Sequence, residues 1–343
     1  TTAQLRGTVV DASGQPVSGA TVTILHVPTG SVSVATTSDN GSYFESGLRP
    51  GGPYTVTVSS PGREAQRAEG LRLNTGQVNS FNAALSEAGT SDVITVVGTA
   101  IQRQLGLNSG VGSVFNAEDL AGQPSIQRDV ISSLLSDPFV TTTTFSGRGR
   151  SNGVISVAGQ APRFNGFVID GLAQGNDFGL DQGLFPTLRQ PISIDWIEEA
   201  SVQASDYSVL SGGFTGGLVN VVTKSGSNEF DGGAYYYYRD DSMVGTSAFD
   251  TTVNQDAFEE DEWGIYASGP IIEDRLFFFA GYEEVANTRP LNFDFGSVDP
   301  QIFDIIRGIT QNVYNYDPGS KADTAVEELS ESALIKLDWD ITD

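Results

Sequence analysis

Side chains able to break bonds or hold metals are scarce in this chain. It contains no cysteine and a single histidine, His26. Without thiols there is no cysteine nucleophile, thiolate metal site or disulfide. One imidazole cannot build a multi-histidine metal centre and argues strongly against a Ser-His-Asp triad. His26 itself ends an apolar strand pattern, where it reads as a strand-edge residue rather than a ligand. The acidic run Glu259-Glu260-Asp261-Glu262 offers the hard oxygens that divalent cations take, although such a run is more simply a solvated loop. No catalytic residue, metal site or cofactor is expected. The chemistry on offer is that of the backbone. Asp92-Val93-Ile94-Thr95-Val96-Val97 is β-prone, has no hairpin partner nearby and sits in a stretch rich in Gly, Ser, Asn and Thr. A segment of this kind is a ready donor for strand addition to a partner's sheet edge. The competing reading makes it the last strand of the preceding domain or the first of the next.

The bulk numbers narrow the class. The 343 residues exceed what one domain usually needs. With 43 acidic and 18 basic residues the net charge is -25, which argues against a nucleic-acid partner, since that wants a basic footprint. It suits a surface facing water, cations or a basic partner. The 40 glycines and 10% aromatic residues fit many strands and tight turns. No apolar run reaches the ~18 residues of a transmembrane helix. No signal peptide is visible, and Thr1 reads as the start of a mature, processed chain.

The elements divide the chain into four parts. Residues 1–86 alternate short strands with turns such as Asp39-Asn40-Gly41 and Ser13-Gly14-Gln15-Pro16, which predicts a seven-stranded β-sandwich. Through Gly7-Thr8-Val9-Val10-Asp11, Val17 to Val22 and Asp39 to Tyr43, this part resembles the carboxypeptidase regulatory-like domain, an accessory module without catalytic residues. Residues 87–113 read as a mobile connector. Residues 114–227 mix strands with short helices, one turn from Asn116 and a helix over Ser125–Ser136 that Asp137-Pro138 stops. Residues 228–343 alternate apolar and polar positions in the manner of a membrane barrel. Ala333, Ile335, Leu337, Trp339 and Ile341 share one face, and Leu334, Lys336, Asp338 and Asp340 the other. Leu276, Phe278, Ala280 and Tyr282 form a second apolar face, with Glu283 turned inward. Trp263, Ile265 and Ala267 form a third. Pro270–Arg275 is a short link, whereas 240–262 and 287–331 are long loops.

The stretch Pro191–Arg239 ties these parts together. Strands Trp196–Gln203 and Gly217–Lys224 enclose a Gly/Ser-rich turn, and Ser225-Gly226-Ser227-Asn228 then breaks the chain before a tyrosine-rich strand. Ile197-Glu198-Glu199, Ser208 to Gly213, Gly217 to Gly226 and Asn228-Glu229-Phe230 resemble the end of the plug and the first barrel strand of TonB-dependent outer-membrane transporters. Asn228–Asp240 and Gly269–Glu284 resemble the Oar-like branch in particular. One departure is Val157-Ala158-Gly159-Gln160, where the family usually carries an arginine-glycine pair.

The resemblance implies a fold that is mainly β: the sandwich, a mixed α/β plug, and the first antiparallel strands of a transmembrane β-barrel in outer-membrane lipid. It implies that Asp92–Val97 is the TonB box, contacted by TonB with ExbB-ExbD at the inner membrane, with sandwich and plug on the periplasmic side. It places plug loops at 145–152, 175–185 and 205–215 toward an extracellular substrate, a peptide or protein among the candidates. Arg148, Arg150, Asp177 and Phe178 are the most chemically able residues there, and bracing the plug against the barrel wall is an equal use for them. Two other classes stay open: an adhesion or binding protein, and a SusC-type glycan importer, whose longer junction motif Val96-Val97-Gly98-Thr99 matches poorly. An open sheet of about four strands leaves edges that lipid cannot satisfy, so the chain reads as the N-terminal portion of a longer protein.

Overall fold

The computed structural model describes residues 2–76, 79–87, 93–97, 112–123, 125, 128–142, 154–175, 184–187, 189–205, 214–245, 247–248, 251–252, 257–290, 301–319 and 325–341. Two compact units partition the chain: 1–232 with 267–280 and 334–343, and 233–266 with 281–333.

The sandwich opens the first unit. Its strands are β1 (Ala3–Asp11), β2 (Thr21–His26), β3 (Val32–Thr36), β4 (Ser42–Leu48), β5 (Gly51–Ser59), β6 (Ala65–Leu73), β7 (Asn79–Ser80), β8 (Ala83–Leu85) and β9 (Val93–Val97). One sheet runs β4-β1-β7 with β8 also on β1, and the other runs β3-β2-β5-β6-β9. Alternation places Leu5 and Val9 of β1, Val22 and Ile24 of β2, and Tyr54, Val56 and Val58 of β5 in one apolar core. The seven expected strands become eight plus β9, because the last is split at Phe81-Asn82. His26 ends β2 and is buried. Its Nδ1 lies 2.7 Å from Thr29 Oγ1 and its ring 4.7 Å from that of Tyr54.

The plug follows: β10 (Gly112–Asn116), α1 (Ala117–Gly122), α2 (Val130–Leu134), β11 (Val140–Thr142), β12 (Ile155–Val157), β13 (Gly166–Ile169), β14 (Leu172–Ala173), β15 (Ile197–Gln203) and β16 (Leu218–Thr223). The sheet order is β10-β15-β16-β13-β14. Asn116 caps α1 and exchanges hydrogen bonds with Asp119, a capping box. The helix expected over 125–136 is confined to α2. Arg128 has φ 48°, outside the helical region, and Asp129 caps the helix from the next position. Asp137 ends it by accepting from the Phe139 amide at 2.8 Å. Gly217, just before β16, lies so close to Val157 that a Cβ there would overlap it.

The barrel strands are β17 (Asp231–Asp240), β18 (Ser247–Ala248), β19 (Thr251–Thr252), β20 (Glu259–Ile272), β21 (Leu276–Pro290) and β22 (Ala325–Trp339), with helix α3 (Gln301–Tyr314) before the last. The long strands pair in sequence order, β17-β20-β21-β22. Exposure alternates as expected. Ile335, Leu337 and Trp339 are outward at 78%, 62% and 64%, while Phe277 and Phe279 are buried and Leu276, Phe278 and Ala280 half-buried. The break at Gly226 is a close approach, since a Cβ there would overlap the carbonyls of Phe278 and Gly269. Asn228 clamps it by exchanging hydrogen bonds of 2.7 and 2.8 Å with Asp274 in the β20–β21 turn.

Two expectations for the second unit need correction. Glu259–Glu262 is not a loop but the start of β20. Arg239 pairs with Glu260 at 2.6 Å, and Tyr236 donates to Asp261 at 2.6 Å. Strand formation there satisfies carboxylates that a loop would have left to water. The long connection 287–331 holds α3, whose Ile302, Ile305, Ile306, Ile309 and Val313 recur at helical spacing.

Candidate functional site

Asp170-Gly171 is a two-residue hairpin turn. Asp170 and Gly171 have φ 48° and 84°, and Ile169 pairs with Leu172 across it. Both central residues at positive φ define the primed turn that Asp-Gly favours. The turn aims the Asp170 carboxylate at the end of β16, where it accepts from Thr223 N at 2.9 Å and from Thr223 Oγ1. The Lys336 ammonium comes to the same spot from the wet face of β22. It donates to Thr223 O at 3.0 Å and lies 3.8 Å from Asp170. The polar side of the barrel strand thus grips the plug where the plug sheet ends.

A second polar contact joins plug to sandwich. Glu199 of β15 is 2% exposed between buried Ile197 and Val202. It accepts from Thr75 N at 2.9 Å and from Thr75 Oγ1. Asn220 Nδ2 donates to the same hydroxyl at 3.3 Å, and Gln203 Nε2 donates to Gly76 O at 3.3 Å. Burial pushes the Glu199 carboxyl up to about 7, and the neighbouring Glu198 adds to this, against the two Thr75 hydrogen bonds. Glu198 is also raised by burial, which Arg72, Lys224 and Lys336 partly oppose. An acid within an apolar strand was the available signal for this contact, but nothing in the sequence names Thr75 as its partner.

Arg49 reaches the wall from the sandwich. It pairs with Asp340 at 2.9 Å and Asp338 at 3.7 Å, while Ser31 Oγ donates to Asp340 at 2.6 Å. A cavity of about 440 Å³ lies among Arg49, Asp170, Glu198, Lys336, Asp338 and Asp340. His26 also lines it. Burial and Arg49 lower that imidazole to about 4, so it is neutral at pH 7. No group of three or more His, Asp or Glu placed to hold a metal occurs among the described residues.

The expected partner-binding segment is β9. Its backbone lies parallel to β6, with Ala65 opposite Val93, Arg67 opposite Thr95 and Glu69 opposite Val97. Asp92 lies outside the described residues, as do Arg148, Arg150, Asp177 and Phe178.

Comparisons with known proteins fit this architecture. Residues 4–86 match the carboxypeptidase regulatory-like domain and residues 222–323 an outer membrane beta barrel domain. The TonB-dependent transporter Oar of Myxococcus xanthus is 26% identical over 301 residues, covering 83% of this chain and 27% of that protein. The chain therefore spans about a quarter of that relative's length. Among solved structures, the outer membrane transporter YddB from Escherichia coli aligns with TM-score 0.47 and 14% identity over 68% of this chain and 31% of its own. The siderophore receptor PirA from Acinetobacter baumannii aligns with TM-score 0.43 and 21% identity over 68% and 29%. From the sequence match, the two domain matches and the strand pattern, the chain is an outer-membrane β-barrel protein homologous to the TonB-dependent transporter Oar.

Proposed function

We propose that this chain is part of an active outer-membrane transporter, in which the plug closes the barrel and TonB, driven by ExbB-ExbD, moves it through Asp92–Val97. The observation that carries the reading is the grip of Lys336 on Thr223 and Asp170. A barrel strand whose wet face is hydrogen-bonded to a folded plug is the arrangement a gated pore needs. No bond is broken by the chain; the work comes from the partner. Substrate binding outside would shift the plug and linker toward a TonB-engaged population. The plug loops carrying Arg148, Arg150, Asp177 and Phe178 are the proposed outer contacts for a substrate, with peptide or protein as the class to screen first.

Two measurements test this, one on the full-length protein and one on a peptide. In planar bilayers the intact protein should pass little current, and a variant lacking residues 112–224 should open in large, uniform steps. A plug-deleted barrel as silent as the intact one refutes the gate. For the coupling arm, a peptide spanning Ser91–Thr99 should bind the purified C-terminal domain of TonB. Ile94→Pro or Val96→Pro should abolish that binding, because proline removes the amide a strand ladder needs. Thr95→Ala keeps the amide and should be milder.

A further inference from the structure

We propose that the edge of β6 is a docking site for β9, and that the sandwich and TonB compete for Val93–Val97. This rests on the reading of those residues as the TonB contact. The observation is the pairing itself. Without β9, β6 would end the sheet β3-β2-β5-β6 with a row of open backbone groups. With β9 in place, that row is paired over Ala65–Glu69.

The chain is delivered to this edge. The backbones of Arg63 and Glu87 form an antiparallel β-bridge, and the Glu64 amide donates to Ser86 O at 3.0 Å. The backbone leaving β8 is therefore already fastened at the start of β6, and only residues 88–92 separate that fastening from β9. A separation of five residues gives an intramolecular strand a high effective concentration, on the order of millimolar. β6 carries Arg67, Glu69 and Arg72, which discourage chance pairing with other chains. The edge is thus suited to a strand delivered in cis. The carboxypeptidase regulatory-like module thereby becomes the holder of the coupling strand. TonB must then strip β9 from β6, and its apparent affinity falls by the fraction of time β9 is free.

This chain carries no cysteine, so once any thiols elsewhere in the full-length protein are replaced by serine a direct test is open. Arg67 and Thr95 are register partners, and Arg67 otherwise makes an exposed ion pair with Glu69 that contributes little. In full-length protein carrying Arg67→Cys and Thr95→Cys, mild oxidant should join the two positions, because paired strands bring their Cα atoms within disulfide reach. The oxidised form should bind the purified TonB domain at least tenfold more weakly than the reduced form. Single variants should not respond to oxidant. The free peptide spanning Ser91–Thr99 should bind at least tenfold more tightly than the reduced protein. Failure to cross-link, with both thiols reactive to maleimide, overturns the docking. Equal binding by oxidised and reduced forms means that TonB adds to the other edge of β9, and overturns the competition. So does a peptide no tighter than the reduced protein. A peptide that fails to bind TonB at all overturns the coupling reading itself, and the competition with it. That arm contains no sandwich, so the two failures are told apart.

Discussion

Replacing Glu199 by glutamine should strengthen the contact between plug and sandwich at neutral pH and leave it unchanged in acid. Glutamine keeps an oxygen to accept from Thr75 N and Oγ1 but carries no charge to bury. In the wild type, burial raises the carboxyl from 4.5 to about 7. Below 4.5 the acid is protonated whether the contact is closed or open, and its stability is fully present. As pH rises toward 7 the open form ionises first, so the closed form loses ground; above 7 the loss is complete. At about 1.4 kcal/mol per pH unit, the displacement is worth about 3 kcal/mol. Hydrogen exchange at the Thr75 amide, corrected for its intrinsic rate, reads the opening directly because that amide donates to Glu199. In the full-length protein, opening should rise roughly a hundredfold between pH 5 and pH 8. Glu199→Gln should remove most of that slope, leaving the part that belongs to Glu198. A wild-type profile flat with pH, or a variant slope equal to the wild type's, would refute the argument.

Asp170→Ala should lower plug stability by about 2–4 kcal/mol. It places a non-polar side chain at positive φ and removes charge-assisted bonds to Thr223. Asp170→Asn, which tolerates that backbone and keeps an acceptor, should recover most of the loss in protection of the Thr223 amide. Leu337→Arg should cost roughly 2–4 kcal/mol if the residue lies near the bilayer midplane, while Lys336→Arg, on the wet face, should be near neutral. Equal stabilities in the reconstituted full-length protein would reverse the assigned faces. Lys336→Met should leave the barrel folded but raise the leak current, since it deletes the hydrogen bonds to Thr223.

Local pattern was the readable part of this chain. The period of two in β22 placed Leu337 outward and Lys336 inward before any contact was known, because a strand has only two faces and one meets lipid. Gly-rich turns likewise located the sandwich strands. Where local signals competed, reading was less secure. Glu259–Glu262 looked like loop because four acids in a row oppose burial, yet Arg239 and Tyr236 on the neighbouring strand supply the partners. α3 carried its apolar spacing openly, but it lies within a long connection where a loop was expected. The pairings that make the candidate site were not legible, although Glu199 stood out as an acid within an apolar strand. Thr75 and Glu199 stand 124 residues apart, and a hydrogen bond at that range leaves no period in either segment. The same holds for β9. Its composition announced a strand without a neighbour, and that is what strand-addition segments and sheet-closing strands have in common. The parallel register with β6 shows the sandwich satisfying that backbone; on our proposal TonB offers the edge that replaces it.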